Sequence, residues 1–134
     1  MGDPGSEQPS VDAQGIRPPS VYAIDARTTP EGVVVLMLDG ELDLAAAPAV
    51  RERLAAALDA GAGAIVLDMA EVTFVDSSVL RELLRAESAQ RENGVPLVLA
   101  ALRAPVARLL ELTQTTGLLS VVPTVDEALR RAAA

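Results

Sequence analysis

Short aliphatic runs alternate along this chain with longer segments of helical period, and that alternation restricts the fold more than any other feature. Val33–Leu38 and Ala64–Met69 are short, continuous and rich in branched side chains, the pattern of strands buried on both faces. Val95–Ala101 and Leu118–Val122 are two further runs, with Pro96 near a strand start, where a missing donor is tolerated. Between the runs, Pro48 is placed to open a helix carrying Val50, Leu54, Ala57 and Leu58, ending before Gly61 and Gly63. A second helix is expected over Ser77–Asn93, stopped by Gly94, with Leu80, Leu83 and Leu84 on one face. Glu87 falls on that face and shortens its apolar stripe. Pro105 opens a third helix carrying Val106, Leu109 and Leu110, closed by Gly117. Thr124-x-x-Glu127 is a capping box for a terminal helix whose last turn holds Arg130 and Arg131. Ahead of all these, Val21–Arg27 reads as an edge strand, and Thr28-Thr29-Pro30-Glu31-Gly32 is turn chemistry that joins it to Val33–Leu38 as an antiparallel hairpin. The order ββαβαβαβα predicts a single α/β domain. Its sheet is mixed but mostly parallel, with the first strand antiparallel at the edge, right-handed crossovers and about four helices.

Composition narrows the function. Half of the residues are apolar, yet Tyr22 and Phe74 are the only aromatic ones. The core must therefore be aliphatic, and little remains for stacking on bases or sugars. Residues 1–20 hold four Pro, three Gly and three Ser with no apolar periodicity, so a disordered tail is expected there and the folded domain over 21–134. The formal charge is −8, and all eleven basic residues are arginine. A net negative chain with no basic run is a poor partner for nucleic acid or anionic membranes. The lysine-free, alanine-rich composition points to a bacterial host.

Cysteine and histidine are absent, which removes thiolate nucleophiles, imidazole bases, disulfides and the metal sites that depend on those residues. No metal and no cofactor is expected. An enzyme is not expected either, because a serine nucleophile would have only carboxylates as its base and no glycine-rich phosphate loop follows a strand. A phospho-aspartate receiver domain has a similar alternation, but as a family it uses a lysine that this chain lacks. The longest aliphatic run, Val33–Leu38, is far too short to span a bilayer, and the acidic, Pro/Gly-rich start is unlike a signal peptide, so no membrane insertion and a cytoplasmic location are expected.

In open α/β sheets, function gathers where strands end and loops lead into helices. Two segments stand out there: Asp39-Gly40-Glu41-Leu42-Asp43 and Phe74-Val75-Asp76-Ser77-Ser78. Asp76, Ser77 and Ser78 are all good N-cap types. The plain reading is that one of the serines caps the second helix. The sharper reading is a phosphorylatable serine, because a helix N-terminus offers N–H donors and a favourable dipole to a phosphate.

Gly40-Glu41-Leu42-Asp43, followed by Ile65–Asp68 and then Val72–Ser78, resembles the paired G-E-L-D and D-S-S-G turns of the STAS-type anti-sigma-factor antagonists. Gly94 with Val95–Ala101, then Pro105-Val106 and Leu109–Gly117, is similar to the strand and helix that follow in that family, so the resemblance covers residues 21–132. It implies a partner switch. The unmodified protein would bind a serine kinase that doubles as an anti-sigma factor, releasing the sigma factor. Phosphorylation of the first serine, here Ser77 with Ser78 as runner-up, would break the complex, and a serine phosphatase would reset it. The resemblance marks Gly40, Glu41, Asp43, Asp76, Ser77, Ser78 and Val79 as partner-binding, with a monomer or weak dimer as the working state.

One position departs from the family pattern. Val79 stands where a glycine follows the two serines. Valine adds a branched side chain at the first helical turn, and it either joins the apolar face beside Leu80 and Leu83 or alters partner fit at the loop's rim. The alternative function is therefore a STAS subunit that docks in a larger signalling or transporter complex without a phosphoswitch.

Overall fold

The computed structural model describes residues 21–133. The expected tail over 1–20 lies outside the described residues. Five strands form one sheet in the order β1-β2-β3-β4-β5: β1 Tyr22–Thr28, β2 Val33–Leu42, β3 Ala64–Val75, β4 Leu97–Ala100 and β5 Ser120–Val122. β1 pairs antiparallel with β2, and all other neighbours are parallel. The helices are α1 Ala47–Asp59, α2 Ser77–Asn93, α3 Ala104–Leu112 and α4 Val125–Ala133. This is the α/β order expected from the sequence.

The continuous aliphatic runs are explained by burial on both faces. Val34, Leu36, Ile65, Leu67, Leu97 and Leu99 join one core with residues of α1, α2 and α3. Their alternating neighbours Val33, Val35, Ala64, Val66, Val98 and Ala100 form a second core with Ala128 of α4. The period of two along each strand divides the side chains between those layers. Removing one such side chain, as in Leu67→Ala, should destabilise by about 2–5 kcal/mol, because its site is fully enclosed.

The strands differ from expectation mostly in length. β2 and β3 continue past Leu38 and Met69 as a paired arm, with Leu42 opposite Val75. Two register shifts fall in that arm, between Met37 and Asp39 and between Gly40 and Glu41. Side chains satisfy the disrupted backbone. Asp68 Oδ1 accepts the Ala70 N–H at 3.1 Å, and Arg103 Nη1 donates to the Ala70 carbonyl at 3.2 Å. Interrupted pairing of this kind bends and re-aims a strand, which is why alternation fades there in the sequence.

β4 is shorter than the run Val95–Ala101. The Val95 N–H is taken by the Gln90 carbonyl at 2.9 Å as α2 closes on the left-handed Gly94, and Pro96 has no donor. α3 stops at Leu112 rather than near Gly117. Thr113 Oγ1 donates back to the Leu109 carbonyl at 2.8 Å, and Gln114 takes a left-handed φ of 60°, which together end the helix early. A short 3-10 turn over Thr116–Leu118 replaces the expected start of β5.

Helix α2 is fixed against α1 by a buried acid. Glu82 is 8% exposed and lies 3.2 Å from Arg51 of α1 and 3.9 Å from Arg85 of its own helix. Glu87, which interrupts the apolar stripe, is paired with Arg91 at 3.0 Å. At α4, the Thr124 hydroxyl oxygen accepts the Glu127 N–H at 3.0 Å, the hydroxyl half of the expected capping box.

Candidate functional site

The paired arm of β2 and β3 carries both motifs to one end of the sheet. Leu42 is the last residue of β2, and its carbonyl accepts the Asp76 N–H at 2.8 Å. Asp43 follows directly, so the two acidic motifs are held side by side by backbone. Gly40 serves this arrangement rather than a loop. Its φ is +94°, and a Cβ there would collide with the Val21 carbonyl oxygen. That same carbonyl accepts the Glu41 N–H at 3.3 Å, tying the start of the domain to the arm. Gly40, Glu41 and Leu42 are therefore strand residues, not the turn expected from the sequence.

Asp43 is half-buried, and its Oδ1 accepts the Ala45 N–H at 3.1 Å, capping a 3-10 turn over Leu44–Ala46 that leads into α1. Asp76 caps α2 in the same manner. Its Oδ2 accepts both the Ser78 N–H at 2.8 Å and the Ser78 Oγ–H at 2.5 Å. The cap is thus the aspartate, and neither serine supplies it. The Ser78 hydroxyl, and next the Ser78 N–H, hold the Asp76 carboxyl below the ordinary aspartate range against a weaker opposing effect of desolvation.

Ser77 is exposed, and its hydroxyl makes no hydrogen bond among the described residues. The first-turn donors around it are largely used. Val79 and Leu80 both donate to the Asp76 carbonyl at 3.0 Å, and Ser78 donates to the Asp76 carboxylate. A phosphate on Ser77 would meet the helix dipole and open solvent rather than a ring of free N–H groups. Val79 does not stand at the rim. Its side chain is fully buried in the core with Leu80 and Leu83, so it can affect a partner only through the backbone it positions.

Two exposed apolar side chains near this end of the sheet were not among the residues expected to bind a partner. Leu44, directly after Asp43, is 69% exposed, and Phe74, three residues before Ser77, is 47% exposed. Asp39, Glu41 and Glu71 are exposed at the same end, so the surface combines apolar side chains with acidic ones. The available signal was Phe74 itself: the chain's sole phenylalanine sits two residues before Asp76 rather than in the core. No helix among the described residues is long and apolar enough to cross a membrane.

The chain thus combines a mixed five-stranded sheet with a helix start capped by Asp76 beside an acidic strand end. The STAS domain family matches residues 24–128, and the chain belongs to that family. A Bordetella bronchiseptica protein, BtrV, named as an anti-sigma factor antagonist, is 30% identical over 104 residues, covering 78% of this chain and 87% of that protein. The crystal structure of an anti-sigma factor antagonist from Mycobacterium paratuberculosis superposes with a TM-score of 0.75 at 25% identity, over 89% of this chain and 100% of that one. The phosphorylated form of the Bacillus cell fate determinant SpoIIAA shares the fold, with a TM-score of 0.64 at 22% identity over 81% and 98% of the two chains.

Proposed function

We propose that the chain is an anti-sigma-factor antagonist that works by partner switching in the bacterial cytoplasm. Unphosphorylated, it binds a serine-kinase-type anti-sigma factor and releases the sigma factor to transcription. Phosphorylation on Ser77 by that kinase reverses the binding, and a serine phosphatase restores it. The chain is a substrate and ligand in this cycle, not an enzyme. The docking surface is the paired arm and the start of α2: Gly40, Glu41, Asp43, Asp76, Ser77 and Ser78, with Val79 acting through the backbone.

The observation that carries the reading is the contrast at Ser77. It is the exposed, unbonded hydroxyl on a helix start where the neighbouring Asp76 and Ser78 side chains are bonded to each other. Named relatives in the family supply the partner class. A phosphate would add between about one and two negative charges beside Asp76 and near Asp43. In a water-excluding interface, about 4 kcal/mol of uncompensated charge weakens binding roughly a thousandfold. The test is intact-mass analysis of the protein isolated from its native host, before and after phosphatase treatment, followed by site mapping. A phosphatase-sensitive mass on Ser77 is expected; its absence under conditions that inactivate the sigma factor would favour constitutive docking instead.

A further inference from the structure

Ser77 and Ser78 are adjacent hydroxyls on one helical turn, and a kinase that reads this stretch of chain is presented with both. The structure treats them differently. Asp76 Oδ2 holds two donors of the same residue, the backbone N–H and the hydroxyl of Ser78, at 2.8 and 2.5 Å. That closes Ser78 into a ring against the cap, and Ser78 is half-buried. Ser77 lies outside the ring and is exposed.

We propose that Asp76 is a specificity-determining residue that confines phosphoryl transfer to Ser77 by holding the Ser78 hydroxyl. The inference rests on the chain being a substrate of a serine kinase. Asp76 acts as a positioning residue and does not touch the phosphoryl group.

In the transfer, a bond forms between serine Oγ and the γ-phosphorus of a nucleoside triphosphate. The bond from that phosphorus to its bridging oxygen breaks, nucleoside diphosphate leaves, and the hydroxyl proton passes to a base on the kinase. The serine oxygen must lie in line with the departing bond, with its proton aimed at that base. Ser77 Oγ is free to rotate into this geometry. The Ser78 proton is already aimed at Asp76, whose carboxyl is held below its ordinary range and is a poor proton acceptor. A phosphate on Ser78 would also set two anions against each other where one hydrogen bond stood, and would displace the helix cap. The opposite role, Asp76 as a base that activates Ser78, predicts the opposite outcome when Asp76 is replaced.

The experiment maps phosphate by mass spectrometry on chains isolated from the native host. Wild type should carry it on Ser77 alone, and Ser77→Ala should carry at least tenfold less in total. Adding Asp76→Gly to Ser77→Ala should bring phosphate onto Ser78, because glycine is itself an accepted N-cap and leaves the helix start in place. Adding Asp76→Asn instead should not, since the amide oxygen can still hold Ser78. Phosphate on Ser78 in the single Ser77→Ala variant overturns the inference. So does an unmodified Ser78 in the folded Asp76→Gly variant, or equal modification of the Gly and Asn variants. A wild type with no phosphate on either serine overturns the kinase-substrate reading itself, and the selectivity falls with it. A kinase-free arm follows the Asp76 carboxyl carbon by NMR titration. Ser78→Ala should move its midpoint up toward the ordinary aspartate range, and an unchanged midpoint shows the hydroxyl is not held and overturns the selectivity alone.

Discussion

The Asp76 N–H and the Leu42 carbonyl meet at 2.8 Å, joining the helix that bears the serines to the strand that ends in Asp43. Leu42 and Val75 also pair across the parallel arm, so the two acidic motifs share one hydrogen-bonded frame. A partner that grips one of them therefore reads the position of the other. Perturbing the arm should be felt at Ser77, and Gly40 is the place to do it.

Gly40→Ala should destabilise the domain by about 1–3 kcal/mol, since alanine resists the left-handed φ and its Cβ meets the Val21 carbonyl. Urea denaturation measures this directly. Amide shifts should change at Tyr22 and Glu41, the residues whose backbone must yield. A variant as stable as wild type would mean that the arm relaxes freely at Val21.

Val79→Gly tests the buried reading of that residue. On sequence alone the change would cost only helix propensity, about 1 kcal/mol. With the side chain fully enclosed, burial is lost as well, and the total rises to about 3 kcal/mol. A loss near 1 kcal/mol in denaturant would show that the first turn of α2 can close over the space.

The element order was legible because period and punctuation agreed. Val33–Leu38 and Ala64–Met69 fitted doubly buried strands by length and branched side chains, and Gly94 marked the end of α2. The paired arm was not legible. Past Leu38 and Met69 the apolar pattern gives way to Asp39, Glu41, Glu71 and Thr73, which read as loop, and backbone pairing across register shifts leaves no side-chain period to detect. At the candidate site, the capping chemistry was legible in residue type but not in its assignment. Three N-cap residues in a row, Asp76, Ser77 and Ser78, are equivalent in composition, and only the bond geometry assigns the cap to Asp76. Val79 could be rim or core on pattern alone, and packing against Leu80 and Leu83 decides it.

Thr124→Ala should cost about 1 kcal/mol, the usual loss when a capping hydroxyl is removed. Ala128 of α4 packs on the second face of the sheet, so a weakened α4 should also raise hydrogen exchange in β4 and β5. An unaltered denaturation midpoint would show that the helix re-caps with water.

The cap at Asp76 gives a signed pH dependence. Its folded carboxyl lies below the ordinary range, so the unfolded chain binds the proton more readily. The contribution is therefore present above the ordinary aspartate value and is lost as pH falls through the lower, folded value. Asp76→Asn should flatten the acid side of the stability profile relative to wild type while leaving the neutral side parallel. Superimposable acid limbs in denaturant titrations from neutral pH downward would contradict this.

Ser77 itself should be nearly silent in stability and decisive in binding. Its side chain is exposed and bonded to nothing among the described residues, and Asp76 supplies the cap, so Ser77→Ala should change stability by no more than about 0.5 kcal/mol. Ser77→Asp should fold as well, because a carboxylate in the first turn of α2 is favoured by the helix dipole. The two variants should then part company against a kinase-type anti-sigma factor. Ser77→Ala should bind and resist release by nucleoside triphosphate, having no acceptor oxygen at that position. Ser77→Asp should bind at least tenfold more weakly, with the deficit shrinking as salt screens the added charge near Asp43 and Asp76. Titration calorimetry at two ionic strengths separates the terms. Equal affinity for both variants at low salt would mean that the charge on Ser77 does not control the partner.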